Sequence, residues 1–153
     1  MNSQSLQTSA SPGMVWQIWS DPSTWPSWNP DVKATDIPTP LTAGVAGTME
    51  TNSGGKHDVA IESVEVGKAF TLVSTGIPGH KLAFRCEVVP AGGGSSISQG
   101  VTIRGPLAFL FNGMMGPRIA QSFGPLLAGL KREAEKEDAA SSGGSGKGAA
   151  PSP

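Results

Sequence analysis

Few residue types in this chain lend themselves to chemistry. Its 153 residues include two histidines, His57 and His80, one cysteine, Cys86, and no tyrosine. A structural zinc needs about four clustered soft ligands and a catalytic one about three. No His-x-x-x-His or Cys-x-x-Cys spacing exists, so neither a metal nor another cofactor is expected. Gly-x-Ser-x-Gly, the hydrolase nucleophile turn, is missing. So is a Gly-x-Gly-x-x-Gly that follows a strand and opens a helix. Cys86 shares its alternation with Leu82, Phe84 and Val88, which reads as a small buried hydrophobe. Both histidines fall at expected strand starts, where solvation is their ordinary fate. General-base work is the alternative, and His57 is then the residue to consider. No catalytic residue is assigned.

The residues suited to binding are more distinctive. Trp16, Trp19, Trp25 and Trp28 crowd into thirteen positions. Trp16 and Trp19 are three apart and share a helix face, as core packing requires. Trp28 stands between Pro26 and Asn29-Pro30, where the chain must turn. A rigid amphipathic ring there suits the lip of an apolar cavity. Gln99 is polar yet alternates with Ile97, Val101 and Ile103. A polar group on an apolar face needs a partner, in the protein or in a ligand.

The elements that must position these side chains follow from periodicity. Residues 57–66, 70–75, 82–89 and 97–104 alternate with period two, as antiparallel strands wet on one face do. Residues 32–37 and 47–51 are weaker strand candidates, and one short strand is expected at the start. Glycines 92–94 mark a hairpin loop, with further turns at 66–68 and 77–79. Ser11-Pro12 opens a short helix over 14–20, and residues 24–28 add another turn. Ile119, Phe123, Leu126, Leu127, Leu130 and Ala134 repeat at helical spacing. This predicts a long C-terminal helix begun by Pro117 and bent at Pro125. A shorter apolar piece, 106–113, precedes it, with Gly113 and Gly116 breaking the two and offering a hinge for ligand entry. Short helices set apart from an antiparallel sheet make an α+β fold.

Composition narrows the function classes. A net charge of −1 with 15% charged residues argues against a nucleic-acid binder, which needs a dense basic patch. No apolar run approaches the ~18 residues that span a bilayer. The polar residues 1–8 lack the features of a secretory signal, and a single cysteine fits a reducing compartment. The expected localisation is cytoplasmic. Residues 139–153 hold only Ala, Ser, Gly, Pro and one lysine and are expected to form a disordered tail after a domain spanning 1–138. The Gly-Lys in that tail departs from a phosphate-loop pattern at Ser141 and Gly148.

In this order, Val15-Trp16, Ser20-Asp21, Trp25-Pro26-x-Trp28-x-Pro30, Gly47-Thr48, the strand-rich middle, Gly105-Pro106-Leu107 and Leu130-Lys131 leading to Ala134-Glu135 resemble a known superfamily. It is that of the polyketide cyclase/dehydrase and lipid-transport proteins, also called START-like or SRPBCC. The resemblance implies a helix-grip fold, in which a curved seven-stranded antiparallel sheet wraps a long C-terminal helix around an apolar pocket. It carries no common catalytic motif. The expected function is binding a small hydrophobic molecule, lipid-like or aromatic. The expected lining is Trp28, Leu72, Phe84, Gln99, Val101, Phe109, Phe123 and Leu127. A cyclase or dehydrase using acid–base catalysis in the same pocket is the first alternative. A protein-interaction module whose pocket is filled by its own Phe109, Phe111 and Phe123 is the second. No oligomeric state is assigned.

Overall fold

The computed structural model describes residues 2–146 except 53 and 78. Among them, seven strands form one antiparallel sheet in the order β1-β7-β6-β5-β4-β3-β2. These are β1 (Asn2–Thr8), β2 (Val32–Asp36), β3 (Ala46–Thr51), β4 (Gly55–Glu65), β5 (Ala69–Ile77), β6 (His80–Ala91) and β7 (Gly94–Arg104). From β2 to β7 each strand pairs with its sequence neighbour, while β1 closes onto β7. Register shifts interrupt the ladder between Ile61 and Ser63 and between Ser74 and Ile77. Such irregularities bend a strand and increase its twist.

Because β1 and β2 lie at opposite edges, the chain between them must cross the sheet. It does so as α1 (Pro12–Trp19), a single 3-10 turn and α2 (Trp25–Trp28). Ser11 caps α1, its Oγ accepting from the Met14 N–H at 3.2 Å, as Ser-Pro predicts. The inward face carries Val15, Ile18 and Trp19, all buried. Trp25 and Trp28 are buried too, with indole N–H groups donating to the Trp19 carbonyl at 3.0 Å and to Thr24 Oγ1 at 3.1 Å.

The C-terminal half differs from the expected single bent helix. There are three segments, α3 (Ala108–Met114), α4 (Gly116–Gln121) and α5 (Phe123–Gly146). Pro117 opens α4 rather than the long helix, and Pro125 falls in the first turn of α5. A proline costs no helical hydrogen bond in a first turn, because its N–H would be unpaired there. The chain therefore breaks at Ser122 and does not kink at Pro125. The long helix also continues through Gly146, past the 138 boundary expected from composition. Residues 147–153 of the expected tail lie outside the described residues.

The core lies between the concave face of the sheet and these helices. Phe70, Leu72, Leu82, Cys86, Val88, Ile97, Val101 and Ile103 point into it, matching the alternation of the sequence. On the opposite face Arg85 pairs with Glu65 and Glu87, and Arg104 with Glu62. From α5, Phe123, Leu127, Leu130 and Ala134 are buried, and the helix packs on α1 and β1. Gly129 meets the end of α2 so closely that a Cβ built there would lie 1.8 Å from the Trp28 carbonyl oxygen. The obstacle is backbone, so Gly129→Ala should cost about 2–3 kcal/mol. Its melting temperature should fall by several degrees; an unchanged melt would show that the helix seat has slack.

Glu135 ties α5 to the end of β1. Its Oε2 accepts from Thr8 Oγ1 at 2.9 Å, from the Ser9 N–H at 3.3 Å and from Lys131 Nζ at 2.6 Å. The Lys131 contact first, then the Thr8 hydroxyl and to a lesser degree the Ser9 N–H, hold its carboxyl below the usual glutamate value, with desolvation opposing them. A carboxyl depressed on folding stabilises the fold above its unfolded pKa of about 4.3, and that stability is lost as pH falls through the lower folded value. Since the group is partly solvated, Glu135→Gln should cost only about 0.5–1 kcal/mol at pH 7. Paired thermal melts should show the deficit at pH 7 and converge well below pH 4; a pH-independent difference would contradict the assignment.

Candidate functional site

Between the concave face and the helices lies a cavity of about 660 Å³, within the roughly 300–1,000 Å³ of small-molecule sites. The sheet supplies its floor: Val32 from β2, Met49 and Thr51 from β3, Phe70 and Leu72 from β5, Phe84 and Cys86 from β6, and Gln99 from β7. Trp19, Trp25 and Trp28 wall one side, and Ile119, Phe123 and Leu126 form the roof. The partly or fully exposed Asn29, Pro30, Asp31, Arg118, Ser122 and Pro125 complete the lining at the rim.

Aromatic packing frames this space. Phe70 is fully buried at the sheet centre, with Trp25 stacked on it and Trp16 and Trp19 edge-on, each at a centroid distance of 6.1 Å. Phe84 meets Phe123 edge-on at 6.1 Å, so the first residue of α5 touches the floor there. Such pairs add to area burial and restrict ring orientation.

Five of the eight expected lining residues border the cavity: Trp28, Leu72, Phe84, Gln99 and Phe123. The other three lie elsewhere. Val101 is on the concave face but fully buried, at the end of β7 where α3 and α4 cover it. Leu127 is buried in line with Leu130 and Ala134, on the stripe facing α1 and β1. Its neighbour Leu126, about 100° around the helix, takes the cavity position. Phe109 is 80% exposed. Helix α3 turns Ala108, Phe111 and Asn112 inward, and Met115 just after it, at spacings of three and four, which leaves Phe109, Leu110 and Met114 facing out.

Asn112 sets that orientation, and the sequence carried no sign of it. Its Nδ2 donates to the Ile103 carbonyl at 2.8 Å, and its Oδ1 accepts from the Ile103 N–H at 2.9 Å. The amide thus makes both backbone hydrogen bonds at Ile103, two residues along β7 from the Asn2↔Val101 pair with β1. His80 fastens the other end of α3. Its Nε2 accepts from the Leu107 N–H at 3.1 Å and its ring meets Phe111 edge-on at 4.9 Å. Gly105 lacks the Cβ that would strike this imidazole. His80 is thus structural rather than a solvated loop-edge residue, and His57 does not border the cavity.

The ionisable side chains of the lining are Asp31 and Arg118 at the rim and Cys86 in the floor. Burial pushes the Cys86 thiol far above its usual pKa, with Arg85 opposing weakly. It therefore remains S–H and is a poor nucleophile. The sequence pattern that made Cys86 a floor residue was visible in its alternation with Phe84; nothing local marked Asp31 or Arg118. Among the described residues no group of three or more His, Cys, Asp or Glu is placed to hold a metal ion, and no helix is long and apolar enough to cross a membrane.

A curved antiparallel sheet, a long helix and an apolar chamber between them define the helix-grip class. The family model described as polyketide cyclase / dehydrase and lipid transport matches residues 3–135, and the chain belongs to that family. No curated protein matches the sequence. Among solved structures, Ara h 8.0201 is similar with a TM-score of 0.69 at 12% identity, covering 88% of this chain and 96% of that one. Protein CV1439 from Chromobacterium violaceum gives 0.63 at 20% identity, covering 88% and 99%. DynU16, described as a putative protein in the dynemicin biosynthetic locus, gives 0.67 at 15% identity; the match spans 89% of this chain but only 47% of DynU16. At these identities the likeness is one of fold.

The protected thiol is directly testable. In native protein at pH 8, Cys86 should react with a disulfide reagent at least about 100-fold more slowly than in denaturant. A native rate within tenfold of the denatured one would show a hydrated floor.

Proposed function

We propose that this protein binds a small, largely apolar molecule, aromatic or lipid-like, in the chamber between the sheet and α5. The observation that carries this reading is the cavity of about 660 Å³ with an aromatic and aliphatic lining. A chamber filled by its own side chains, such as Phe109, Phe111 and Phe123, would favour the interaction-module alternative; Phe109 points away, Phe111 packs on His80 and Phe123 borders the space. A ligand burying about 300 Å² of apolar surface gains roughly 7 kcal/mol. Loss of its translational and rotational freedom offsets part of that gain, so burial of this size alone leaves a Kd weaker than about 10 µM.

Trp19, Trp25 and Trp28 border the chamber and supply an intrinsic reporter. Titration with 1-anilinonaphthalene-8-sulfonate should quench their emission with a saturable isotherm. Leu126→Trp fills the chamber from the roof. It should weaken binding about tenfold or more while the melting temperature holds or rises. Non-saturable quenching that the variant leaves unchanged would overturn the reading. Native mass spectrometry of the purified protein tests the same claim through co-purifying small molecules.

The second reading is a cyclase or dehydrase. It is favoured by Asp31 and Arg118, whose opposite charges at the rim suit polarising and proton-moving roles. The mass of a recovered ligand separates the two: a carrier returns it unchanged, whereas a dehydrating cyclase returns it short of one water.

A further inference from the structure

The floor of the chamber contains a polar pair that apolar burial does not explain. Gln99 sits between the fully buried Ile97 and Val101 on the concave face of β7. Directly across the strand pair is Cys86, whose Sγ lies 3.6 Å from Gln99 Oε1, a suitable reach for a sulfur donor. The thiol keeps its proton, because burial strongly disfavours the thiolate. A protonated thiol donates, so the carbonyl end of the amide faces it. The amide's orientation is thereby set. Nε2, with two N–H donors, turns away from Cys86, and none of the described residues accepts a hydrogen bond from it. Both residues border the chamber; Gln99 is half-buried, and a ligand that covers it without offering an acceptor would bury an unpaired donor pair, the exception in folded proteins.

We propose that the floor recognises a carbonyl oxygen on the ligand, which accepts from Gln99 Nε2. Cys86 serves as a positioning residue that keeps the donor end of the amide turned into the chamber. The ligand class narrows from any apolar molecule to an apolar ketone, aldehyde, ester or related carbonyl compound. This rests on the chamber being a ligand site. The device is selective through its cost: a hydrocarbon of the same shape leaves both N–H groups dry and unpaired, whereas a carbonyl satisfies one of them.

The test uses 9-fluorenone and fluorene, rings of one shape differing by a carbonyl, titrated against full-length protein by tryptophan quenching. Wild type should favour fluorenone about three- to tenfold. Gln99→Leu should abolish or reverse that preference. Cys86→Ala should reduce it, and Cys86→Ser, which restores an O–H donor, should recover it. Infrared spectra of bound fluorenone give a readout in the wild-type protein: the carbonyl stretch should lie below its value in cyclohexane. If neither probe binds, the chamber reading fails and takes this inference with it. If both bind with equal preference in wild type and Gln99→Leu, or the stretch matches that in cyclohexane, carbonyl recognition is overturned while the chamber reading stands. A preference untouched in Cys86→Ala removes Cys86 from the mechanism.

Discussion

A helix laid along a concave sheet gains free energy by sinking onto it until the side chains interlock. Here the descent is arrested by backbone. Gly129 of α5 rests against the Trp28 carbonyl, and α2 is itself fixed by Trp25 stacked on Phe70 and by the Trp28 indole bonded to Thr24. The C-terminal part of α5 packs down on α1 and β1, with Leu130 and Ala134 fully buried. Its first turns are held up, and Phe123 reaches the floor only at Phe84. The cavity is what remains under a helix supported at both ends, and its aromatic walls are the supports themselves.

Edges are closed by side chains that imitate backbone or brace it. Asn112 bonds both backbone groups of Ile103, which satisfies that stretch of edge and roots α3 on the sheet. His80 secures the turn before α3 through the Leu107 N–H. Glu135 gathers three donors where β1 leaves the sheet. His80 and Glu135 join residues far apart in the chain and Asn112 joins adjacent elements, and together they fix the frame around a region that contributes little packing of its own. The expected hinge near Gly113 is framed by these contacts: the two short helices meet at Met115, α3 bonded to the sheet and Gly116 of α4 set against Asn2.

Within that frame the polar groups are sorted by depth. Charge stays at the rim, with Asp31 and Arg118, while Cys86 and Gln99 in the floor are neutral. Neutral hydrogen-bonding groups can be kept in an apolar wall at modest cost when at least one bond is made; an unpaired ion cannot. The Cys86–Gln99 pair makes that one bond and leaves the amide N–H groups as the polar donors of the floor.

Much of the fold was legible from the chain. Strand faces, the Ser-Pro helix start and the order of elements depend on spacing within a few residues and on the geometry of L-amino-acid backbones. The floor residues Leu72, Phe84 and Gln99 were accessible for that reason. Leu126 against Leu127, the burial of Val101 and the outward turn of Phe109 were not. Those outcomes depend on how far each helix rotates and which strand end it covers, and contacts such as Gly129 with Trp28 and Asn112 with Ile103 settle both. Pro125 shows the same division: its missing N–H is a local fact, but whether it bends a helix or merely opens one depends on where the preceding turn breaks. The sequence by itself determined which faces are apolar and that a helix must cover a sheet. Tertiary structure alone decided where the cover stops short, because a cavity consists of contacts not made, and those appear only once distant elements have found their seats.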